Sequence, residues 1–125
     1  MQLLYQIEQI RQLESLIFQQ ESITPYALMQ RAGQAAFHQL QQHWPQARRV
    51  AVCLGKGNNA GDGLITALLA YQQGLEVSLL TVEDDFAPTG AAAEALDACL
   101  QAGLQLKLAA CDRLADADVV VDALI

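Results

Sequence analysis

The chain has 125 residues, 53% of them hydrophobic, which is enough for one domain with a substantial core and too apolar for a disordered segment. Seven basic and fourteen acidic residues give a net charge of −7, so repulsion from phosphates argues against nucleic-acid binding. No apolar run approaches the roughly 18 residues that a membrane-spanning helix needs.

The three cysteines, Cys53, Cys99 and Cys111, are widely spaced and form no C-x-x-C pair, so a zinc site is not expected. Cys53 and Cys99 fall in apolar segments and are interpreted as small core residues. Free thiols suit a reducing compartment, and residues 1–12 lack the pattern of a signal peptide. The protein is therefore predicted to be cytoplasmic.

Two helices are predicted before the first strand of a sheet. Residues 3–19 carry apolar side chains at helical spacing, beginning with Leu3 and ending with Ile17. The second helix is predicted over residues 25–42, with Thr24 as its N-cap and a proline in its first turn. A glycine inside a helix costs about 1 kcal/mol relative to alanine, so Gly33 is expected to have a packing role. The apolar stripes of the two helices predict a subunit interface and hence a homodimer.

The central stretch of the chain is a strand, a glycine-rich turn and a helix. The strand is predicted over residues 50–54, and the helix begins near Gly61 and ends at Gly74. In open α/β sheets a turn of this kind lies at the carboxyl end of a strand, where ligands bind. The unpaired N–H groups and the positive dipole at the start of the helix favour a phosphate at this place.

The residues of the turn suit a nucleotide. Gly55 and Gly57 allow close approach of the backbone, and Asn58 and Asn59 supply amide donors and acceptors. Asp62 adds a negative charge, which suits a ribose hydroxyl, a cation or a reacting group better than a phosphate. The alternative is that these polar residues only cap the helix and shape the turn. The turn is not a Walker A loop, but it matches Gly-x-Gly-x-x-Ala, a loose dinucleotide fingerprint.

Three further strands, over residues 76–82, 104–108 and 118–125, complete a predicted parallel sheet. A helix over residues 88–102 and a short turn over residues 113–117 connect them. Glu83 either binds the adenosine ribose, as an acidic residue does at this place in dinucleotide folds, or belongs to a solvated acidic loop. In a strand order of 3-2-1-4, Asp122 at the end of the last strand lies next to the turn at Asn59.

Three segments resemble one known family. Residues 57–63, Gly-Asn-Asn-Ala-Gly-Asp-Gly, are similar to the Gly-Asn-Asn-Gly-Gly-Asp-Gly motif of the YjeF N-terminal family, the NAD(P)H-hydrate epimerases. Ala60 replaces one family glycine. The segment from Met29 to Gly33 resembles the Met-x-x-Ala-Gly segment before the family's first strand. Residues 122–124 match the start of the family's Asp-Ala-Leu-x-Gly-Thr-Gly motif.

The resemblance implies a Rossmann-like, three-layer α/β sandwich and an isomerase that interconverts the R and S forms of hydrated NADH and NADPH (NADHX and NADPHX). A fused or separate ADP- or ATP-dependent dehydratase would then repair both forms. The implied substrate-binding residues are Asn58, Asn59, Ala60, Gly61 and Asp62. The implied ligands of a potassium ion (K+) are Asn59 and Asp122.

The resemblance also implies that residues 1–125 are the N-terminal part of a single family domain and end before its Gly-Thr-Gly segment. Asp62 is the candidate acid or base within the turn. The family has a further aspartate after the position of residue 125, and that residue is an alternative acid or base. Whether the 125 residues are active by themselves is left open by the sequence.

Two other functions fit the same residues. The family fold also serves as a dimeric, non-catalytic binding scaffold, and the Gly-x-Gly-x-x-Ala match fits a generic NAD-dependent oxidoreductase. The joint presence of Asn58, Asn59, Asp62 and Asp122 favours catalysis, because a scaffold does not need these polar side chains together. Hydride transfer would identify an oxidoreductase, because an epimerase changes no redox state.

Overall fold

The computed structural model of the protein describes residues 2–3 and 23–125, and these residues form four helices and five strands. The helices are α1 (Pro25–His43), α2 (Ala60–Gln72), α3 (Gly90–Ala102) and α4 (Cys111–Ala115). The strands are β1 (Gln2–Leu3), β2 (Arg49–Leu54), β3 (Glu76–Thr81), β4 (Leu106–Leu108) and β5 (Val119–Ala123). All strand pairs are parallel, and the order in the sheet is β1-β5-β2-β3-β4. The predicted Rossmann-like α/β fold is confirmed.

The predicted strand order of 3-2-1-4 is also confirmed and corresponds to β4-β3-β2-β5. The register places Leu54, the last residue of β2, opposite Thr81 of β3 and Ala123 of β5. The carboxyl ends of these three strands therefore lie side by side. Loops that follow them meet at one edge of the sheet, which is where ligands bind in folds of this type.

The short strand β1 lies at the edge of the sheet beside β5. Gln2 and Leu3 pair with Val119 and Val120, so the prediction that Leu3 begins a helix is wrong. A two-residue strand has no periodicity of its own, and its pairing depends on a strand at the other end of the chain. The rest of the predicted helix over residues 3–19 lies outside the described residues.

Helix α1 begins as predicted. The Oγ1 atom of Thr24 accepts a hydrogen bond from the N–H group of Ala27 at 3.1 Å, and Pro25 occupies the first turn. Gly33 lies where α1 packs against α2, and a Cβ atom there would stand 2.3 Å from Cγ2 of Ile65. The close approach of the two helices explains why a glycine occupies the interior of α1.

The other predicted elements exist with shifted ends. α3 begins at Gly90 rather than residue 88, and β4 begins at Leu106 rather than residue 104. β5 ends at Ala123 rather than residue 125. Gly74 follows α2 with a φ of +90°, as a glycine at a helix end does. Apolar patterns locate elements well, but hydrogen bonding between segments decides where each one ends.

Helices cover both faces of the sheet. On one face, α1, α2 and α3 pack on a large core that includes Val52, Val121 and the completely buried Leu64. On the other face, α4 lies over a smaller cluster that includes Cys53 and Val120. The three-layer arrangement holds the ends of β2, β3 and β5 in a rigid scaffold. Each helix in the described part of the chain is too short or too polar to cross a membrane.

Candidate functional site

The loop between β2 and α2 lies against the end of β5. The N–H group of Gly55 donates a hydrogen bond to the carbonyl oxygen of Ala123 at 3.0 Å, and that of Asn59 donates to Ile125 at 3.1 Å. A Cβ atom at Gly55 would stand 1.9 Å from the carbonyl oxygen of Leu124. Glycine is therefore needed at residue 55, because the backbone of the β2–α2 loop contacts the backbone that follows β5. This contact holds the loop in place.

A cleft of about 690 Å³ opens at the carboxyl ends of β2 and β3. One wall is the β2–α2 loop, and the opposite wall is formed by residues 85–89 of the loop between β3 and α3. Helix α1 contributes Leu28 and Met29. The volume lies within the range of small-molecule sites, and the position is the one at which open parallel sheets bind ligands.

The predicted substrate-binding residues divide between the surface of the cleft and the interior behind it. Asn58 and Ala60 line the cleft. Asn59 is 3% exposed and Asp62 is completely buried, and Gly61 is buried between them. Both Asn59 and Asp62 interact with other groups of the chain. Some of the predicted substrate-binding residues thus line the cleft, and the others are buried behind its wall.

Helix α2 begins beside the cleft at Ala60. Asn59 precedes the helix, and its side chain makes no capping hydrogen bond to it, so helix capping does not explain this asparagine. Asp62 lies in the first turn, where its negative charge interacts favourably with the helix dipole. A Cβ atom at Gly61 would stand 2.3 Å from Cε of Met29, so α1 packs closely on this turn.

Asp122, the second predicted cation ligand, is half-buried near the end of β5. Its Oδ1 atom accepts a hydrogen bond from the N–H group of Leu124 at 3.1 Å. In the sheet it is paired with Cys53, which lies on the face that α4 covers. Burial raises the pKa of the Cys53 thiol, and the negative charge of Asp122 raises it further.

The residues predicted to bind potassium offer suitable atoms. Asn59 supplies an amide oxygen and Asp122 a carboxylate, and oxygen ligands are the type that hard cations take. The two positions are connected through the backbone, because Asn59 donates its N–H group to Ile125, three residues after Asp122. Among the described residues no three His, Cys, Asp or Glu side chains cluster as a metal site. A cation here would therefore need neutral oxygen ligands as well.

Lys56 connects the two walls of the cleft. Its Nζ atom lies 2.5 Å from Oε2 of Glu83 and 3.4 Å from Oδ2 of Asp85, and all three side chains are more than half exposed. The hydrogen bonds that Lys56 donates to these carboxylates raise its pKa, and Lys56 lowers the pKa of Asp85. Glu83 is exposed and paired with this lysine, which fits the predicted solvated acidic loop, and its predicted ribose contact stays a prediction. We call this group of three residues the Lys56 bridge.

The cleft residues that sequence reasoning missed include Lys56, Met29 and Phe86. A signal for Lys56 was present, because the predicted strand order already placed its turn beside the acidic residues that follow the next strand. Met29 was recognised only as part of a motif. Phe86 had no signal, because a single aromatic residue in an acidic loop does not indicate which surface it covers.

Comparison with known proteins identifies the family. The family described as YjeF-related protein N-terminus matches residues 25–125. A bifunctional NAD(P)H-hydrate repair enzyme Nnr of Coxiella burnetii is 45% identical over 125 residues, which are 100% of this chain and 25% of that protein. The enzyme of the same name from Escherichia coli K12 is 42% identical over 103 residues, 82% of this chain and 20% of that protein.

An NAD(P)H-hydrate epimerase of Legionella pneumophila strain Corby is 30% identical over 128 residues, 97% of this chain and 47% of that protein. The chain thus spans between a fifth and about half of the length of these curated relatives. The family match extends from the start of α1 through β5 and includes the β2–α2 loop. The chain belongs to the family of YjeF-related protein N-termini.

Proposed function

We propose that the chain is part of an NAD(P)H-hydrate epimerase, an isomerase that interconverts the R and S forms of NADHX and NADPHX in the repair of damaged nicotinamide nucleotides. The names of the relatives support this activity. The observation that carries the proposal is that the family motif, residues 57–63, lies at a cleft of about 690 Å³ beside the start of α2. In this proposal residues 1–125 are the N-terminal part of a single epimerase domain.

The substrate is proposed to lie along the β2–α2 loop. Asn58 lines the cleft and can donate to or accept from the polar groups of a nicotinamide ring. Ala60 and Gly61 begin α2, where unpaired N–H groups favour the phosphates of a nucleotide. Asn59 and Asp62 are buried behind this surface, where they support the loop and place polar groups beneath the cleft.

Inversion at a hydroxyl-bearing ring carbon needs proton transfer. The hydroxyl group must gain a proton to leave as water, and water must then lose a proton as it adds to the opposite face of the ring. Asp62, in the first turn of α2, is the proposed acid and base within the motif. It is completely buried and does not line the cleft, so in this role it would act through a group that lies between it and the substrate. A further aspartate of the family, after the position of residue 125, remains the alternative.

Asn59 and Asp122 are proposed to hold a potassium ion through their side-chain oxygens. When bound, the ion would supply positive charge near the carboxylate of Asp122 and near the phosphates of the substrate. Asp122 already uses one oxygen to accept the N–H group of Leu124, which orients the carboxylate at the strand end.

Two partners follow from the proposed function. A dehydratase, fused to the epimerase or separate, would consume the epimer that the reaction supplies, and the word "bifunctional" in the names of two relatives supports a fused arrangement. A second copy of the chain is the other proposed partner. We expect light scattering on the full-length protein to give the mass of a dimer, and a monomer at high concentration would contradict this expectation.

Epimerisation can be tested directly with the full-length protein. One isolated epimer of hydrated NADH is incubated with the enzyme, and chromatography follows the appearance of the other. We expect equilibration far faster than in buffer, with no change in the absorbance of reduced nicotinamide. Asn58→Ala should slow it, whereas Gln46→Ala, an amide removed from an exposed position before β2, should not. Equilibration at the uncatalysed rate, or a change in redox state, would contradict the proposal.

A further inference from the structure

The cleft has little positive charge for a ligand that contains a pyrophosphate. The chain has a net charge of −7, and among the described residues that line the cleft Lys56 is the one cation and Asp85 the one carboxylate. Lys56 also lines a neighbouring cleft of about 380 Å³, which Glu83 borders. The Lys56 bridge therefore stands between two clefts and holds the cation that both of them share.

The backbone on either side of Lys56 packs closely against the end of β5, whereas its side chain is exposed. A Cβ atom at Gly55 would collide with the backbone of Leu124, and one at Gly57 would stand 2.0 Å from the carbonyl carbon of Ile125. The lysine side chain itself is 60% exposed. Exposed ion pairs contribute little to stability, so separating Lys56 from its two carboxylates costs little.

From this geometry we infer that Lys56 recognises the phosphate of the substrate, and that Glu83 and Asp85 hold the lysine in place until the phosphate replaces them. The inference rests on the proposed function in taking a nucleotide hydrate as the ligand. Phosphate oxygens make strong, charge-assisted hydrogen bonds with an ammonium group. Only the side chain of Lys56 has to move, and the loop that carries it remains against β5.

A purely structural role for the Lys56 bridge gives the opposite prediction for one variant. If the bridge only tied the two loops together, removing the lysine or removing the carboxylates would loosen the cleft and weaken binding in both cases. If the carboxylates compete with the phosphate, removing them should strengthen binding, whereas removing the lysine should weaken it. The sign of the effect of Glu83→Gln with Asp85→Asn therefore separates the two roles.

The experiment uses the full-length protein and two measurements, KM for hydrated NADH and the calorimetric Kd for ADP-ribose as a pyrophosphate probe. Lys56→Gln should raise both by about tenfold, and Lys56→Arg should restore most of the loss. The double variant Glu83→Gln/Asp85→Asn should lower both by about threefold. Lys107→Gln removes the other lysine of the chain, which is exposed on β4, and should leave both unchanged.

Weaker binding in the double variant would overturn the inference. So would a Lys56→Gln variant with the same KM and Kd as Lys107→Gln, and so would a wild-type protein that does not bind ADP-ribose. The proposed function fails in a different way. If the wild-type protein does not epimerise the hydrate but its affinity for ADP-ribose responds to these substitutions as described, the role of Lys56 stands and the epimerase assignment is wrong.

Discussion

Replacing Gly33 by alanine tests the packing of α1 on α2, because two opposing effects of similar size meet at this position. In an exposed helix interior the change from glycine to alanine gains about 1 kcal/mol. Here the new methyl carbon would lie 2.3 Å from Cγ2 and 2.5 Å from Cβ of Ile65. Because Cβ is bound to the backbone, side-chain rotation cannot relieve the second contact, and the helices must separate.

Overpacking of this kind costs about 1–3 kcal/mol and occasionally more. The net expectation is that Gly33→Ala lowers the free energy of unfolding by up to about 2 kcal/mol, after the gain in helix propensity is subtracted. Gln34→Ala, on the exposed side of the same helix, has no such contact and should change it by less than about 0.5 kcal/mol.

Urea unfolding followed by tryptophan fluorescence measures both variants, because the single tryptophan, Trp44, packs against the main core at the end of α1. We expect a lower urea midpoint for Gly33→Ala with an unchanged slope. If Gly33→Ala is as stable as the wild type or more stable, helix propensity outweighs the contact, and the argument that close helix packing requires glycine is refuted.

Three further outcomes are expected. Asp122→Ala should remove most of the potassium dependence of epimerisation, and Asn59→Ala should remove a smaller part. The dependence is measured by comparing rates in potassium with rates in a large organic cation. If Asp122→Ala keeps the dependence of the wild type, Asp122 is not a ligand of the ion. Burial raises the pKa of the Cys99 thiol from 9.0 to about 11, so the folded state retains the proton more tightly than the unfolded state. Its contribution to stability should be complete below about pH 9 and should decrease by about 2–3 kcal/mol as the pH approaches 11. In Cys99→Ala, urea unfolding across this pH range should show no such decrease in the free energy of unfolding. If the wild type and Cys99→Ala have identical pH profiles, the decrease does not come from Cys99. In crystals of the full-length protein, a soaked nucleotide should place a phosphate or the nicotinamide against residues 57–63, and density confined to a distant surface would contradict the proposed site.

The location of the site was predictable because its signals are local. A buried strand, a turn of glycines and asparagines, and an amphipathic helix are adjacent in the chain, and parallel sheets bind ligands at that kind of junction. The strand order was predictable for a similar reason, because connections in such sheets follow few topologies. The structure confirms the strand order, and it has a cleft beside the predicted junction between β2 and α2.

What could not be predicted depends on contacts between distant segments. The division of the motif into exposed Asn58 and buried Asp62 depends on how α2 is seated on the sheet, and the close contact between Met29 and Gly61 depends on where α1 crosses it. The strand pairing of Leu3 likewise depends on the edge of β5.

The sequence by itself therefore determined the fold class, the strand order and the loop that borders the cleft. Local periodicity and turn chemistry give the fold class and the loop, and the few topologies open to such sheets give the strand order. Only the tertiary structure decided which residues of that loop face the cleft and that Lys56 meets Glu83 and Asp85 across it. The physical reason is that side-chain burial and ion pairing depend on distances between elements, and a linear pattern of residues does not contain those distances.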